Sequence, residues 1–239
     1  MPGKIIASLI LTAGLAVAPA TAGTLSFRSD DNHRGFTFQG VGNSITHAAQ
    51  FDPYQLLIDD HNGPLAPVQF NVRLLADFTI TPTGVVNIFG SILHTYALNG
   101  GFSFVDFFTG APLLNAQVVN GAMTSPGNFG GWGTSGNLQG NDQPQSSSVT
   151  YQWFGPDLPG YQFFNGQSSV GLDDFGFTLT SITSGFIAPI AGVPVGEGGV
   201  PISTWASEGS FSGTAYFVPT PGAAGLMILG CLAANRRRR

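Results

Sequence analysis

Strict two-residue alternation is the feature of this chain that most limits its fold. In APVQFNVRLL, Val68, Phe70, Val72 and Leu74 fall on one side and Gln69, Asn71 and Arg73 on the other. SVTYQWF repeats the pattern with Val149, Tyr151 and Trp153, and LDDFGFTLT sets Asp173, Phe175, Phe177 and Leu179 against Asp174, Gly176 and Thr178. Side chains of a strand point alternately to its two faces, so these segments read as half-buried antiparallel strands. Helix formers are scarce: no lysine follows Lys4, and Glu197 and Glu208 are the only glutamates. Thr, Val, Phe, Gly and Asn take their place, which favours strands and turns.

Breaks at Thr81-Pro82-Thr83-Gly84, Asn99-Gly100-Gly101 and Thr109-Gly110-Ala111-Pro112 divide the region from Leu65 to Met123 into segments of about ten residues, the spacing of a meander. Further strands are expected at Leu25–Arg28, Phe36–Gln39 and Phe211–Val218, and a short helix, interrupted by Pro53, around Ser44–Ile58. TSPGNFGGWGTSGNLQGNDQPQSSS, from Thr124 to Ser148, reads as a long surface loop, and Ala188–Val200 as a second irregular stretch. With no parallel βαβ alternation, the expected fold is all-β: a single antiparallel β-sandwich or jelly roll, flanked by an N-terminal signal helix and a C-terminal hydrophobic helix.

The two ends differ from the body. Lys4, the apolar run Ile5–Val17, and Ala20 and Ala22 in an A-x-A arrangement have the layout of a secretory signal peptide over residues 1–22. Residues 23–217 form the expected domain. Its three arginines, Arg28, Arg34 and Arg73, stand against thirteen carboxylates, a balance near −10 that disfavours nucleic acid as a partner. The only cysteine, Cys231, lies outside it, so the domain relies on its core and not on disulfides.

At the other end, an apolar run from Gly222 to Ala234 spans about 20 Å as a helix, short of the ~30 Å hydrocarbon core. Four arginines, Arg236, Arg237, Arg238 and Arg239, follow it, and such a cluster is held on the cytoplasmic side of a membrane. Pro219-Thr220-Pro221-Gly222, the apolar run and the arginine cluster together resemble a PEP-CTERM sorting signal over residues 218–239. Thr220 stands where that motif usually carries glutamate, as in the Pro-Thr-Pro variants of planctomycete-type bacteria. The resemblance implies a Gram-negative bacterium making exopolysaccharide, a transient stay in the inner membrane, and an exosortase-like sorting enzyme as partner. It implies a destination at the cell surface or in the extracellular matrix, and it leaves the domain unassigned.

Within the domain no catalytic motif is present, so a non-enzymatic role is expected. Paired carboxylates at Asp30-Asp31, Asp59-Asp60 and Asp173-Asp174 are adjacent in sequence, and adjacent strand residues face opposite ways, so no pair makes an acid/base couple. A glycan hydrolase would need carboxylates from different pairs to converge. Asp30, Asp31, Asp59 and Asp60 offer the hard oxygen ligands of a structural calcium site, without EF-hand spacing. His33, His47, His61 and His94 lack zinc-site spacing. A lectin-like role would rest on aromatic rings stacking on sugar: Trp132, isolated in the polar loop, with Trp153 and Tyr151.

Overall fold

The structure is a computed structural model that describes residues 21–28, 36–47, 52–59, 65–141, 148–161, 163–169, 171, 173–185 and 190–217. Fourteen strands are present: β1 Thr21–Arg28, β2 Phe36–Val41, β3 Ser44–His47, β4 Tyr54–Asp59, β5 Val68–Ile88, β6 Ser91–Asp106 and β7 Pro112–Asn128 in the first half. β8 Gly131–Trp132, β9 Gly136–Asn141, β10 Ser148–Trp153, β11 Asp174–Ser184, β12 Ile190–Ala191, β13 Val193–Pro194 and β14 Trp205–Phe217 complete it. A 3-10 turn at Pro159–Tyr161 is the only helical element among the described residues. The all-β, antiparallel expectation is met; both expected terminal helices lie outside the described residues, except that Thr21 and Ala22, the last two residues of the expected signal peptide, begin β1.

All strands belong to one sheet, and its pairings return to their start. The circuit runs β1, β4, β5, β6, β7, β9, β11, β14 and back to β1, antiparallel at every step. Between β5 and β14 the wall has two storeys: β4 and β1 close it at one end, while β3 and β2 close it at the other. The two walls expected of a sandwich are thus parts of one continuous sheet. An eight-position ring leaves an interior that side chains alone can fill.

That interior is aromatic. Phe102 meets Phe78, Phe104, Tyr151, Phe175, Phe177 and Phe211 at centroid separations between 5.1 and 6.3 Å, tilted or edge-on. Such pairs add about 0.5–1.5 kcal/mol each beyond the area they bury. The inward set follows the alternation of the sequence: Val72, Leu74, Phe78 and Ile80 on β5, and every odd residue of β14 from Trp205 to Phe217.

Four readings are corrected. Thr81–Gly84 and Asn99–Gly101 are not breaks; β5 and β6 run through them with register shifts at Pro82/Gly84 and Leu98/Gly100. Ser44–Ile58 contains no described helix but strands β3 and β4, because Ile45, Leu56 and Ile58 alternate into the core. Much of Thr124–Ser148 is sheet: the end of β7, then β8, β9 and the start of β10, with Leu138 and Trp132 buried. Ala188–Val200 contributes β12 and β13 where described.

Two ends of the ring differ in character. Thr21 pairs with Phe217, so the first and last described residues lie together at one end. The β6–β7 turn shares that end, where Asp106 accepts hydrogen bonds from the Phe108 and Thr109 amides and the Thr109 hydroxyl, which hold its carboxyl below the ordinary range. Arg73 stacks over Phe107 there, 5.3 Å from the ring centroid. At the opposite end the β5–β6 hairpin extends beyond the closed wall, and every residue from Thr81 to Ser91 is exposed.

Candidate functional site

The outward positions of β5, β6, β7 and β10 form a polar grid. Cross-strand pairing puts Leu75, Ser103, Asn115 and Gln152 in one row, with Ser168 bridged to Gln152 beyond them. Asp77, Gly101, Gln117 and Thr150 make the next row. Gly101 has no side chain in the middle of this surface, and the grid dips there into an open hollow of about 640 Å³. Close backbone approach keeps the dip empty, since a Cβ at Gly101 would run into the Ala116 carbonyl oxygen. At neighbouring Gly100, with φ at 135°, a Cβ would run into the Asp77 carbonyl oxygen. Gln117 Nε2 donates to the Gly100 carbonyl at 2.9 Å, fixing its amide along the rim.

Asn120 carries the face onward. It sits at φ 53° and switches β7 from even to odd residues inward, as the burial of Leu114, Ala116 and Val118 and then Met123 and Ser125 shows. Asparagine tolerates this left-handed region better than most residues. Here β9 parts from β7 to follow β11, and a second hollow of about 440 Å³ opens, lined by Asn120, Gln139, Asn141 and Asp174 among others.

Both hollows offer side-chain amides that donate and accept hydrogen bonds, and the first adds the hydroxyls of Ser103, Thr150 and Ser168. Neither contains a lysine or arginine, and each has a single carboxylate, Asp77 or Asp174. Such a surface suits a neutral, hydroxyl-rich ligand and gives an anion nothing to pair with.

The residues singled out from sequence lie elsewhere. Trp132, Trp153 and Tyr151 are at most 3% exposed, so the expected sugar-stacking faces are covered by protein. Trp132 Nε1 donates to the Tyr96 hydroxyl at 2.7 Å, and its ring meets Tyr96 and Trp205 edge-on. Trp153 Nε1 donates to the Pro156 carbonyl, and the Tyr151 hydroxyl donates to the Asp174 carbonyl. Burial pushes the Tyr151 phenol well above its ordinary pKa, helped by Asp173 and Asp174. The aromatic in a polar, glycine-rich stretch is a core plug because β8 pairs with both β7 and β13 and draws it inward.

Of the calcium candidates, Asp30, Asp31 and Asp60 lie outside the described residues, and Asp59 ends β4 opposite Thr24. Among the described residues no three of His, Cys, Asp and Glu gather as a metal site would require. Asp173, read as a strand residue on the apolar face, is a buried carboxylate that accepts from the Tyr216 amide at 2.8 Å and from the Ser169 hydroxyl. His94 is buried with Nε2 2.7 Å from the Asn128 carbonyl, while His33 and His61 lie outside the described residues. The sorting-signal residues Pro219, Thr220, Pro221, Gly222 and Arg236 to Arg239 also lie outside them.

Sequence reasoning missed the amide grid because its members are scattered from Asp77 to Ser168 and each looks like an ordinary outward strand residue. Comparison with known proteins finds no matching family model, no similar curated protein and no similar solved structure.

Proposed function

We propose that this chain is an exported, non-enzymatic protein of the bacterial cell surface or extracellular matrix, sorted through its C-terminal signal by an exosortase-like enzyme. The carrying observation is the pair of terminal sequences, an N-terminal signal-peptide pattern and the Pro-Thr-Pro, apolar and Arg236–Arg239 ending. The side-by-side placement of Thr21 and Phe217 supports it, because the chain enters and leaves the described domain at one end. The ring is read as a flattened sandwich whose two walls share the aromatic core. Mass measurement and peptide mapping of the protein from its native cells test the proposal. Termini near Gly23 and within 218–222 are expected; an intact Arg239 in the membrane fraction would overturn sorting.

A second reading, a carbohydrate-binding role in the exopolysaccharide, is favoured by the amide-lined hollows along β7. It moves the contact surface from the buried aromatics to Asn115, Gln117, Thr150 and Gln152. One carboxylate per hollow suits binding better than glycan hydrolysis, which needs two facing carboxyl groups. Titration with matrix polysaccharide checks this. The paired substitution Asn115→Ala and Gln117→Ala should weaken binding at least about tenfold, the equivalent of one or two lost hydrogen bonds. A flat titration of the unsubstituted protein removes the reading.

A further inference from the structure

The β5–β6 hairpin is built against local preference. Ile88 pairs with Ser91, leaving Phe89 and Gly90 as a two-residue turn with φ of 50° and 90°. Both central residues of this turn are left-handed, a geometry that favours Asn-Gly and is costly for phenylalanine. Phe89 is nonetheless there and fully exposed, at 106% of its reference area. Val85, Val86 and Ile88 beside it are each about half exposed. Phe129 and Ile202 extend the patch: Ile92, next to the hairpin turn, pairs with Gly127, and the Ile202 amide donates to Pro194, which pairs with Gly131.

One edge of this hairpin is open. β3 pairs with β5 no farther than Thr79, and from Thr81 to Ile88 β5 has β6 on one side and no strand on the other among the described residues. Ile88 and Ser91 close a two-residue turn and so exchange hydrogen bonds; by alternation Val86 also turns its N–H and C=O to β6, and Val85 and Asn87 turn theirs outward. Protected edges carry charge or short length, and a long apolar one is a template for another strand. The only edge-blunting features on β5 here are Pro82 and its bulge, and both precede the apolar run.

Charge then selects the occupant. Among the described residues, Asp59, Asp106, Asp157 and Asp173 lie toward the end where Thr21 meets Phe217, Asp77 and Glu208 lie where β5 and β14 pair with β3 and β2, Glu197 lies in the turn beside Pro82, and the hairpin itself, from Thr81 to Ser91, carries no charge. Two copies of an acidic domain can therefore meet through this end with little repulsion. An anionic lipid surface would instead call for basic residues, which the hairpin from Thr81 to Ser91 lacks. The chain's own tail starts from the wrong end.

We propose that two copies of the chain associate through this hairpin, the Val85–Ile88 edge of one pairing antiparallel with the same segment of the other about a twofold axis. Each copy would add a strand to its partner's sheet, and Phe89 and Phe129 of both would be covered.

Sedimentation equilibrium of the purified full chain in mild detergent tests this over a wide concentration range, with near-UV circular dichroism reporting the fold. A dimer is expected. Val85→Pro removes an outward N–H without touching the β6 ladder, and should raise the dimer dissociation constant at least about tenfold. Val86→Lys places a charge on the edge and should do the same, and it decides the matter if the proline variant misfolds. Phe108→Lys, at the opposite end, should leave the dimer intact. A monomer at every concentration, a dimer unaffected by Val86→Lys, or a dimer weakened equally by Phe108→Lys would overturn the proposal.

Discussion

At the scale of single residues, burial sets the chemistry more than sequence context does. His47 shows it: the ring lies between Phe38 and Tyr54, edge-on to both at 6.4 and 6.3 Å, and burial lowers its pKa from 6.5 to about 4. The neutral ring is therefore the folded form near neutral pH. Above pH 6.5 the histidine is neutral in both folded and unfolded chains and adds no pH dependence. As pH falls from 6.5 towards 4 the unfolded chain takes up a proton that the folded chain refuses, so stability drops through that window and the loss is complete below it. Its size is of order 2 kcal/mol once solvent screening of a part-exposed ring is allowed for. Denaturant unfolding between pH 7 and 4 should show this decline, and His47→Gln should flatten it. A decline of equal steepness in the variant would assign it to other groups. The same lesson applies to Trp132. Polar and glycine neighbours marked it as a surface residue, yet what decides its place is the partner strand beside it, which local composition does not encode.

At the scale of elements, alternation was legible and glycine was ambiguous. The inward faces of β5, β10 and β11 follow from period two because one face is buried, and a one-residue slip would reverse every side chain. Glycine and proline clusters read as chain breaks, yet at Pro82–Gly84 and Leu98–Gly100 they mark register shifts inside long strands, where a bulge or a close crossing needs the same residues as a turn. The two glycines differ in consequence. At Gly84 a Cβ would find only Thr95 Oγ1, at 3.7 Å, whereas at Gly100 it would strike the Asp77 carbonyl and approach Phe78 Cα to 2.9 Å. Gly100→Ala should therefore cost about 2–3 kcal/mol, from the unfavourable φ and the forced separation of β5 and β6. Gly84→Ala should stay within about 0.5 kcal/mol. Urea midpoints of the two variants check the contrast, and a neutral Gly100→Ala would mean that β6 can straighten.

At the scale of the whole molecule, fold class could be read from the sequence but ring closure could not, because closure depends on which strands meet across nearly the full chain length. Thr21 pairs with Phe217, and β1 is the strand that joins β14 to β4 at that end. It is a seam built from the first and last described strands. Without β1 the facing edges of β14 and β4 would lie open, and the aromatic core behind them would be wetted. Deleting residues 21–28 should then remove more than about 4 kcal/mol, a large share of the net stability of an ordinary domain. The deleted chain should bind a hydrophobic dye, lose near-UV ellipticity and precipitate readily. A synthetic peptide of residues 21–28 should restore part of the signal by adding its strand between the two edges. Contacts this distant also predict slow folding, since loop closure must come before any gain from the seam, and the intact domain should refold in milliseconds to seconds. Cooperative unfolding of the deleted chain at an unchanged denaturant midpoint would show that β2 and β3 alone hold the ring, and that the acidic end closes without a seam.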